Sequence, residues 1–550
     1  MPLNYYGIYL SWAPGVDLRH EGLGRYLAAF LKGSTSKEGV RFVIVCPSWS
    51  KVGLEELFIS ESVPRDRFEV FSPESVPLAL RLYKSYSERK KNRKKINIGK
   101  WAITKYYQLK QGFSSYFESR ILGVSTYLGL LGAILELGLI FTFVAPVLIF
   151  ASPVLVLIGF VLVAKKLSYK VQHKYKRFFV RLSRIRKAMG SPKDDNFVLR
   201  LYKGMEKLES ERMLSIIEGL NHVRAWYSPT AFWPAFNSIT TPRLMCVPDV
   251  VLSDFPIGFS GIGGDRLLQN FADLNSSIRD GQYYVTYSQH VKWHTLVDQY
   301  SVKASHVSVI HHAPNDLHRL VTISGFADSG AASIHYCQTL LRSAFTKSAN
   351  KEYMSGFANL DVDYIFYASQ FRPNKNVITL LRAYEYLLRK KYISHKLVLT
   401  GSYQYAEVQS FIRKNFLEND VICLYGLTLP ELAACYKLAS LAVNPSLSEG
   451  GCPFTFSEAL SVGTPVVMAR IPVTEEVLKS IELQEVTLFD PYDWQDLADK
   501  VEWALANTDA LLSLQAPCYA QLSARTWDDV VAEHVEILEA ISVPVTTGEV

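Results

Sequence analysis

The densest group of residues with possible chemistry lies in the segment 444–467, where two carboxylates bracket a glycine pair. A short apolar strand opens the segment, a loop containing Gly450 and Gly451 follows, and a helical pattern then begins. Such glycines and a helix N-terminus let backbone N–H groups approach an anionic or hydroxyl-rich ligand closely. Glu449 would hold sugar hydroxyls, and Glu458, one or two residues inside the helix, would hold a ribose diol. The alternative is an ordinary strand–loop–helix turn.

A second group is basic and lies in Phe366–Val377, directly after another strand pattern. Arg372 and Lys375 can point into a cleft and neutralise a diphosphate, because guanidinium and ammonium groups are the usual phosphate partners in proteins. The alternative for Arg372 is an ion pair with a surface carboxylate.

Three further features have weaker signals. Gly22 and Gly24 form a glycine turn between the first strand and the first helix, a pattern that is often only a tight turn. Asp249 follows a strand and is interpreted as a loop-capping residue rather than a catalyst. His311 and His312 follow the last strand before the middle of the chain, and a structural or exposed role is favoured for both.

These residues need a scaffold, and the chain alternates strand and helix patterns in two blocks. Alternation of this kind predicts parallel sheets with helices on both faces, and two such α/β domains usually hold a ligand in the cleft between them. The predicted strands are 6–10, 41–46, 67–71, 225–227, 244–251, 283–287, 306–310, 364–367, 396–400, 421–424, 441–444 and 465–468.

The predicted domains follow from this alternation. They are an N-terminal Rossmann-like domain in two parts, 1–84 and 216–315, a helical insertion 85–215, a linker or hinge region 316–360, a C-terminal donor-binding Rossmann-like domain 361–525, and a C-terminal helix and tail 526–550.

The insertion contains an apolar tract, 121–164, whose only charged side chain is Glu136. One bilayer crossing needs roughly 20 apolar residues, so the tract could supply two helices, and Pro146 and Pro153 interrupt it. Basic runs at 89–95 and 165–187 flank it, which indicates that both ends face the cytoplasm and contact anionic lipid. The prediction is a transmembrane or re-entrant hairpin; the alternative is a buried core hairpin.

Composition limits the remaining possibilities. The formal charge is +7, and no nucleic-acid motif accompanies the basic runs. Seven scattered cysteines without a CxxC pair favour a reducing compartment and argue against disulfides and zinc. No signal peptide is visible, so the catalytic parts are expected on the cytoplasmic side of the inner membrane.

Taken together, these motifs resemble the retaining family 4 glycosyltransferases, whose GT-B fold has two Rossmann-like domains facing a cleft. In that family two glutamates separated by seven residues bind the donor, the first near the sugar and the second on the ribose. Glu449 and Glu458 match these roles, although eight residues separate them, so an extra residue near Cys452 or Pro453 is expected to bulge. The form Gln-Phe-Arg-Pro-x-Lys-Asn at 370–376 is similar to that of dolichol-linked mannosyltransferases.

The resemblance implies further roles. The turn containing Gly22 and Gly24 would close over the donor phosphates and acceptor, and Thr455 joins the donor-binding residues Glu458, Gly450 and Gly451. Many relatives carry a histidine–aspartate pair where this chain has Pro248 and Asp249. Glu449, Lys375 and Arg372 are the expected catalytic residues.

The expected activity is transfer of a sugar, possibly mannose from GDP-mannose, to a lipid-linked or surface-polysaccharide acceptor at a membrane. No metal and no cofactor beyond the nucleotide sugar are expected. Two alternatives remain open: a catalytically weakened scaffold of a polysaccharide-assembling complex, or a nucleotide-sugar epimerase on the same fold.

Overall fold

The computed structural model describes residues 3–81 except 17, 19–21, 35–36, 38 and 79, positions 127, 128, 131 and 132, residues 197–348, 353 and 356, and residues 362–543 except 404. The predicted hairpin 121–164 therefore lies almost wholly outside the described residues and stays a prediction. Within the described part of the chain, no helix is both long and apolar enough to cross a bilayer.

The N-terminal domain is built on seven parallel strands in the order β3-β2-β1-β4-β5-β6-β7. Short β-branched and aromatic runs form them, and helices cover both faces, as fully buried parallel strands require. The strands are β1 Asn4–Tyr9, β2 Val40–Val45, β3 Phe68–Phe71, β4 Val223–Ser228, β5 Arg243–Cys246, β6 Tyr283–Thr286 and β7 Val307–Val309.

The helices of this domain are α1 Gly22–Gly33, α2 Lys51–Ser60, α3 Phe197–Glu218, α4 Val251–Asp254, α5 Pro256–Arg279 and a π-helical segment Val291–Gln299, with 3-10 turns Arg65–Arg67, Pro234–Ser238 and Ala304–His306. The predicted strand 244–251 is too long. It ends at Cys246 because Pro248 has no N–H to donate to a neighbouring strand, and Val251 already begins α4.

The C-terminal domain repeats the arrangement with six parallel strands in the order β10-β9-β8-β11-β12-β13. The strands are β8 Tyr364–Tyr367, β9 Lys396–Leu399, β10 Val421–Cys423, β11 Leu441–Asn444, β12 Val466–Ala469 and β13 Leu488–Phe489. The helices are α6 His318–Val321, α7 Ser329–Phe345, α8 Val377–Lys390, α9 Ala406–Lys414, α10 Leu429–Lys437, α11 Phe454–Ser461, α12 Pro472–Val477, α13 Ile481–Thr487, α14 Trp494–Ala506, α15 Thr508–Ser523 and α16 Trp527–Ser542, with a 3-10 turn Pro373–Lys375.

The segment 316–360, predicted to be a linker, contains the long helix α7. Cys337, Leu341 and Phe345 recur at helical spacing on its buried face and pack in the C-terminal core. Asp328 begins the helix by accepting a hydrogen bond from the backbone N–H of Ala331. The linker prediction is wrong for this part, because the polar residues between the buried positions obscure the helical period.

The last helix, α16, returns to the N-terminal domain. Val531 and Leu538 pack in the N-terminal core beside α1. His534 has no exposed surface and packs edge-on against the stacked rings of Phe30 and Tyr227. The chain therefore crosses between the domains twice, once between β7 and α6 and once between α15 and α16.

Each sheet has one point where the strand order reverses, between β1 and β4 and between β8 and β11. Loops at the carboxyl ends of the strands diverge at such a point and leave a crevice in which α/β proteins bind ligands. In the C-terminal domain the crevice is bounded by the loops after β8 and β11, which carry the two richest motifs of the sequence.

Candidate active site

One ion pair joins the loops after β8 and β11. Lys375 ends the 3-10 turn after β8, and its Nζ donates a hydrogen bond to Glu449 Oε1 across 2.6 Å. Nζ also lies 3.4 Å from the hydroxyl of Ser446. The two side chains keep 23% and 19% of their exposure, so the pair is partly dehydrated yet open to a ligand. Two of the residues predicted to be catalytic are thus in direct contact at the crevice.

The backbone around Lys375 is fixed from both sides. The carbonyl of Asn374 accepts hydrogen bonds from the N–H of Leu447, at 2.7 Å, and from the Ser446 hydroxyl, at 3.3 Å, which ties the two loops together. Asn376 has a left-handed backbone with φ 50°, a conformation that asparagine adopts more readily than most residues. Its side-chain amide donates to the carbonyl of Pro491 across 2.7 Å. Lys375 is therefore presented from a rigid turn.

Glu458 occupies a more enclosed position than Glu449. Its carboxylate is 6% exposed and accepts a hydrogen bond from the side-chain amide of Asn315, in the segment that links the domains, across 3.0 Å. Burial raises the pKa of Glu458 above its ordinary value, while the Asn315 bond and the charge of Arg25 oppose that rise.

The position of Glu458 within its helix corrects the sequence interpretation. It is the fifth residue of α11, not the first or second, because the helix already begins at Phe454 after Pro453. Thr455, the second helical residue, is buried. The expected bulge near Cys452 or Pro453 stays a prediction.

Arg372 is exposed beside the crevice, with its guanidinium 3.3 Å from the side-chain oxygen of Gln370. Among the described residues it forms no ion pair with a carboxylate, so the alternative of a surface salt bridge has no support there. Its charge acts instead on Asp249 of the N-terminal domain. Arg372 is thus available to an anionic ligand.

Asp249 belongs to this site, which the sequence interpretation missed. Burial raises its pKa to about 6, the charges of Lys375 and Arg372 oppose the rise, and the charge of Glu449 adds to it. Helix α4 begins after Val250 without a side-chain cap, so Asp249 does not cap this helix, and its predicted loop-capping role stays a prediction. The sequence showed only that Asp249 follows a strand of the N-terminal sheet. Its neighbours belong to the other domain and become visible only in the structure.

The two glycines between the glutamates lie where the domains touch. A Cβ at Gly450 would stand 2.0 Å from the carbonyl oxygen of Pro248, and one at Gly451 would stand 2.9 Å from Tyr287 Cβ and 3.2 Å from the ring of His312. The N-terminal domain therefore approaches both positions so closely that only glycine fits without a shift of the neighbouring atoms. Whether their N–H groups also bind a donor stays a prediction.

The first helix, α1, contributes residues to the opposite wall of the cleft. A Cβ at Gly22 would meet nothing within 4 Å, whereas one at Gly24 would stand 2.1 Å from the carbonyl oxygen of Leu18, so Gly24 serves close packing within its own domain. Arg25 is exposed, and its charge acts on Glu458 across the cleft. Arg25 stands inside the recognised glycine turn, yet the sequence alone did not single it out.

The histidines after β7 have different surroundings. His311 is exposed, with Nδ1 2.8 Å from the carbonyl oxygen of Tyr287, which fits its predicted structural role. The ring of His312 lies 4.4 Å from that of Phe454, at the start of α11, and beside Gly451. Burial lowers the pKa of His312, so its imidazole is neutral at pH 7. His312 therefore faces the loop between the two glutamates.

The C-terminal part of the chain is similar to known glycosyltransferases. Residues 352–516 match the family described as glycosyl transferases group 1. The serotype-specific mannosyltransferase WbdA of Escherichia coli is 28% identical over 31% of this chain and 21% of its own length. The O-antigen chain mannosyltransferase RfbU of Salmonella typhimurium is 26% identical over 43% of this chain and 62% of its own length. The matches thus span about a fifth of WbdA and less than two thirds of RfbU.

Solved structures show the same fold over nearly the whole chain. Anabaena Alr3699/HepE, in complex with UDP and glucose, aligns over 98% of this chain and 99% of its own, with a TM-score of 0.51 and 13% identity. The N-terminal domain of Candida albicans trehalose-6-phosphate phosphatase aligns over 99% and 98%, with a TM-score of 0.52 and 11% identity. At such identities the likeness concerns the fold alone, and it agrees with the expected pair of parallel-sheet domains.

The family match covers the strands and loops that carry Lys375, Glu449 and Glu458. It confirms the predicted resemblance for this part of the chain. Residues 352–516 of this chain are thus similar to the glycosyl transferases group 1 family.

Proposed function

We propose that this protein is a membrane-associated retaining glycosyltransferase that uses a nucleotide-diphospho-sugar as donor. The observation that carries the proposal is the ion pair between Lys375 and Glu449 at the crevice of a region that matches the group 1 family. Glu458 lies in the helix that follows the same loop. Charged and hydrogen-bonding groups at such a crevice suit a ligand that combines a diphosphate, a ribose and a sugar.

The donor would lie along the C-terminal domain. Glu458 would accept hydrogen bonds from the ribose hydroxyls, and Lys375 and Arg372 would neutralise the diphosphate, with Arg25 approaching from the opposite wall. Glu449, held by Lys375 at 2.6 Å, would accept hydrogen bonds from the sugar hydroxyls. Gly22, whose missing side chain leaves open space, would let the backbone of the N-terminal loop approach the phosphates.

Catalysis would be mainly electrostatic. Negative charge develops on the leaving phosphate as the glycosidic bond breaks, and preorganised cations stabilise it more strongly in a partly dehydrated cleft than in water. No protein nucleophile is assigned. The acceptor hydroxyl would therefore attack the same face of the donor sugar from which the leaving group departs, with retention of configuration. Closure of the two domains would exclude water and limit hydrolysis of the donor.

A membrane-presented acceptor is supported by where the insertion joins the fold. Post-strand loops of the N-terminal domain contact Gly450 and Gly451, so the carboxyl edge of its sheet faces the cleft. At that edge Glu209 of α3 accepts a hydrogen bond from the N–H of Ser48 across 2.6 Å. The helix begins 12 residues earlier, at Phe197, and thus extends about 18 Å further.

The described helix α3 therefore begins on the cleft side of the domain, and the predicted hairpin precedes it in the chain. A bilayer contacted by the hairpin, at the cytoplasmic face of the inner membrane, would lie near the cleft. This placement favours an acceptor that is lipid-linked or part of a growing surface polysaccharide. Mannose, from GDP-mannose, is the proposed sugar, because the named activity of both WbdA and RfbU is mannosyl transfer.

The test is a donor screen with the full-length protein in detergent and a membrane extract as acceptor, read by released nucleoside diphosphate. We expect release from one nucleotide sugar, GDP-mannose first, and a decrease on the order of 10- to 100-fold in Glu458→Gln, which removes charged hydrogen bonds while keeping the side-chain shape.

The competing interpretation is a catalytically weakened scaffold, which Pro248 favours because many relatives carry a histidine there. Failure of the wild-type protein to bind or hydrolyse any common nucleotide sugar, with normal polysaccharide production in cells carrying Glu458→Ala, would overturn the enzymatic proposal.

A further inference from the structure

A second cavity opens between the domains beside Glu449. Its volume is about 430 Å³, which is within the usual range for small-molecule sites. The N-terminal domain contributes Ser253, Asp254, Phe255, His290, His294 and Gln299, and the C-terminal domain contributes Leu447, Ser448, Glu449, Ile471, Pro472 and Val473. The cavity thus reaches the carboxylate that is proposed to hold the donor sugar.

Hydrogen bonds across the cleft hold the walls of this cavity together. Glu476, at the end of α12, accepts hydrogen bonds from the backbone N–H groups of Gln289, at 2.9 Å, and His290, at 3.2 Å. Asp254 of the N-terminal domain is hydrogen-bonded to Ser448 of the C-terminal domain. Because both contacts cross between the domains, the cavity is complete only when the domains are closed.

The lining disfavours a phosphate. No lysine or arginine is among the described residues that line the cavity, and two of the lining residues, Asp254 and Glu449, are carboxylates that would repel an anion. The backbone N–H groups of Gln289 and His290, the natural anion-binding groups at the start of the π-helical segment, are already bonded to Glu476. A phosphorylated ligand would therefore lack a counter-charge here.

The same lining suits a neutral polyhydroxyl ligand. The rings of His290 and His294 stack at 5.0 Å, and Gln299 lies 3.2 Å from His294 Nε2. Burial, then the neighbouring His294, lowers the pKa of His290, so its imidazole is neutral and offers one donor and one acceptor. Asp254 and Ser448 add further groups for hydroxyls, and Phe255 offers an apolar face.

We infer that this cavity binds the terminal sugar of a saccharide acceptor, so that the enzyme extends an existing glycan and does not glycosylate a lipid phosphate. A hydroxyl of a sugar in the cavity would point toward Glu449, where the donor sugar is placed. The inference rests on the proposed glycosyltransferase function and narrows its acceptor to a neutral saccharide end. A lipid carrier would then be attached further along the glycan, outside this cavity.

The test compares acceptors in the nucleotide-release assay with the full-length protein and its best donor. The probes are methyl α-mannoside, α-linked mannobiose and an N-acetylglucosamine-containing disaccharide, against a short-chain polyprenyl monophosphate. We expect a saccharide to stimulate release above the basal donor hydrolysis, and the polyprenyl phosphate not to. In His294→Ala the KM for the saccharide should rise on the order of tenfold, because hydrogen bonds to the acceptor are lost.

His335→Ala, which removes an exposed histidine on α7, should leave every value unchanged. Stimulation by the polyprenyl phosphate alone, no stimulation by any saccharide while basal hydrolysis persists, or an unchanged saccharide KM in His294→Ala would overturn the inference. Absence of all donor hydrolysis and binding would instead refute the proposed function.

Discussion

Replacing Gly450 by alanine should block closure of the cleft without unfolding either domain. The new Cβ would stand 2.0 Å from the carbonyl oxygen of Pro248, whereas Cβ contacts under 3.0 Å essentially do not occur, so the two loops must separate by about 1 Å (3.0 − 2.0). The obstructing atom belongs to the backbone of the other domain and cannot rotate away.

A displacement of this size matters because the glycine adjoins Glu449. Misplacement of reacting groups by about 1 Å costs on the order of 100-fold in rate. We therefore expect kcat/KM for sugar transfer to decrease about 100-fold in Gly450→Ala. Nucleotide binding should change far less, because Lys375 and Glu458 remain on the same domain.

Two further variants test whether the loss of activity follows the severity of the steric overlap. In Gly451→Ala the Cβ would meet Tyr287 Cβ at 2.9 Å and the ring of His312 at 3.2 Å, and the ring can shift, so a decrease on the order of tenfold is expected. Gly53→Ala, in α2, places its Cβ in open space and should behave as the wild type.

The assay is nucleotide release with and without acceptor, together with equilibrium nucleotide binding and thermal unfolding. Wild-type transfer by Gly450→Ala would refute the closed contact between Gly450 and Pro248. Equal losses of nucleotide binding and of transfer would show that Gly450 serves the donor directly and not closure.

Three other perturbations follow from the contacts of the site and of the hinge. Lys375→Met should lower kcat for nucleotide release about 100- to 1000-fold while the thermal midpoint changes little, because a partly dehydrated cation for the leaving group is lost. Glu476→Ala should lower transfer on the order of tenfold and raise the fraction of donor lost to hydrolysis, because two interdomain hydrogen bonds are removed. The control variant Glu475→Ala removes only the exposed ion pair with Arg470 and should change neither value. Burial lowers the pKa of His534 to about 4 from an ordinary 6.5, so between these pH values the unfolded chain binds more protons and stability falls as pH falls. His534 should thus contribute a loss of about 2 kcal/mol between pH 7 and pH 5, so the thermal midpoint of the wild-type protein should fall more over this range than that of His534→Phe. Equal pH dependence in the two proteins would contradict this assignment.

Much of the scaffold could be predicted from sequence because buried parallel strands are short, apolar and bounded by turns. Strands such as Tyr364–Tyr367 and Leu441–Asn444 agree with their predicted bounds. The sequence also placed Lys375 and Glu449 just after two strands, but only the strand order of the sheet, in which β8 and β11 are neighbours, shows that the two side chains meet.

The remaining features depend on how the two domains face one another, which no local pattern encodes. Asp249 gains its neighbours, and Gly450 its steric requirement, from loops about 200 residues apart in the chain. Likewise Glu476 has no sequence signal, because its partners are backbone N–H groups of the other domain. The long helix α7 was missed for a local reason: polar residues obscure its apolar period.

The most direct test of the central claim is a crystal structure of the protein with a bound nucleoside diphosphate. We predict that the ribose hydroxyls lie within hydrogen-bonding distance of the Glu458 carboxylate and that the diphosphate lies beside Lys375 and Arg372. A nucleotide bound elsewhere, or a ribose directed away from Glu458, would contradict it.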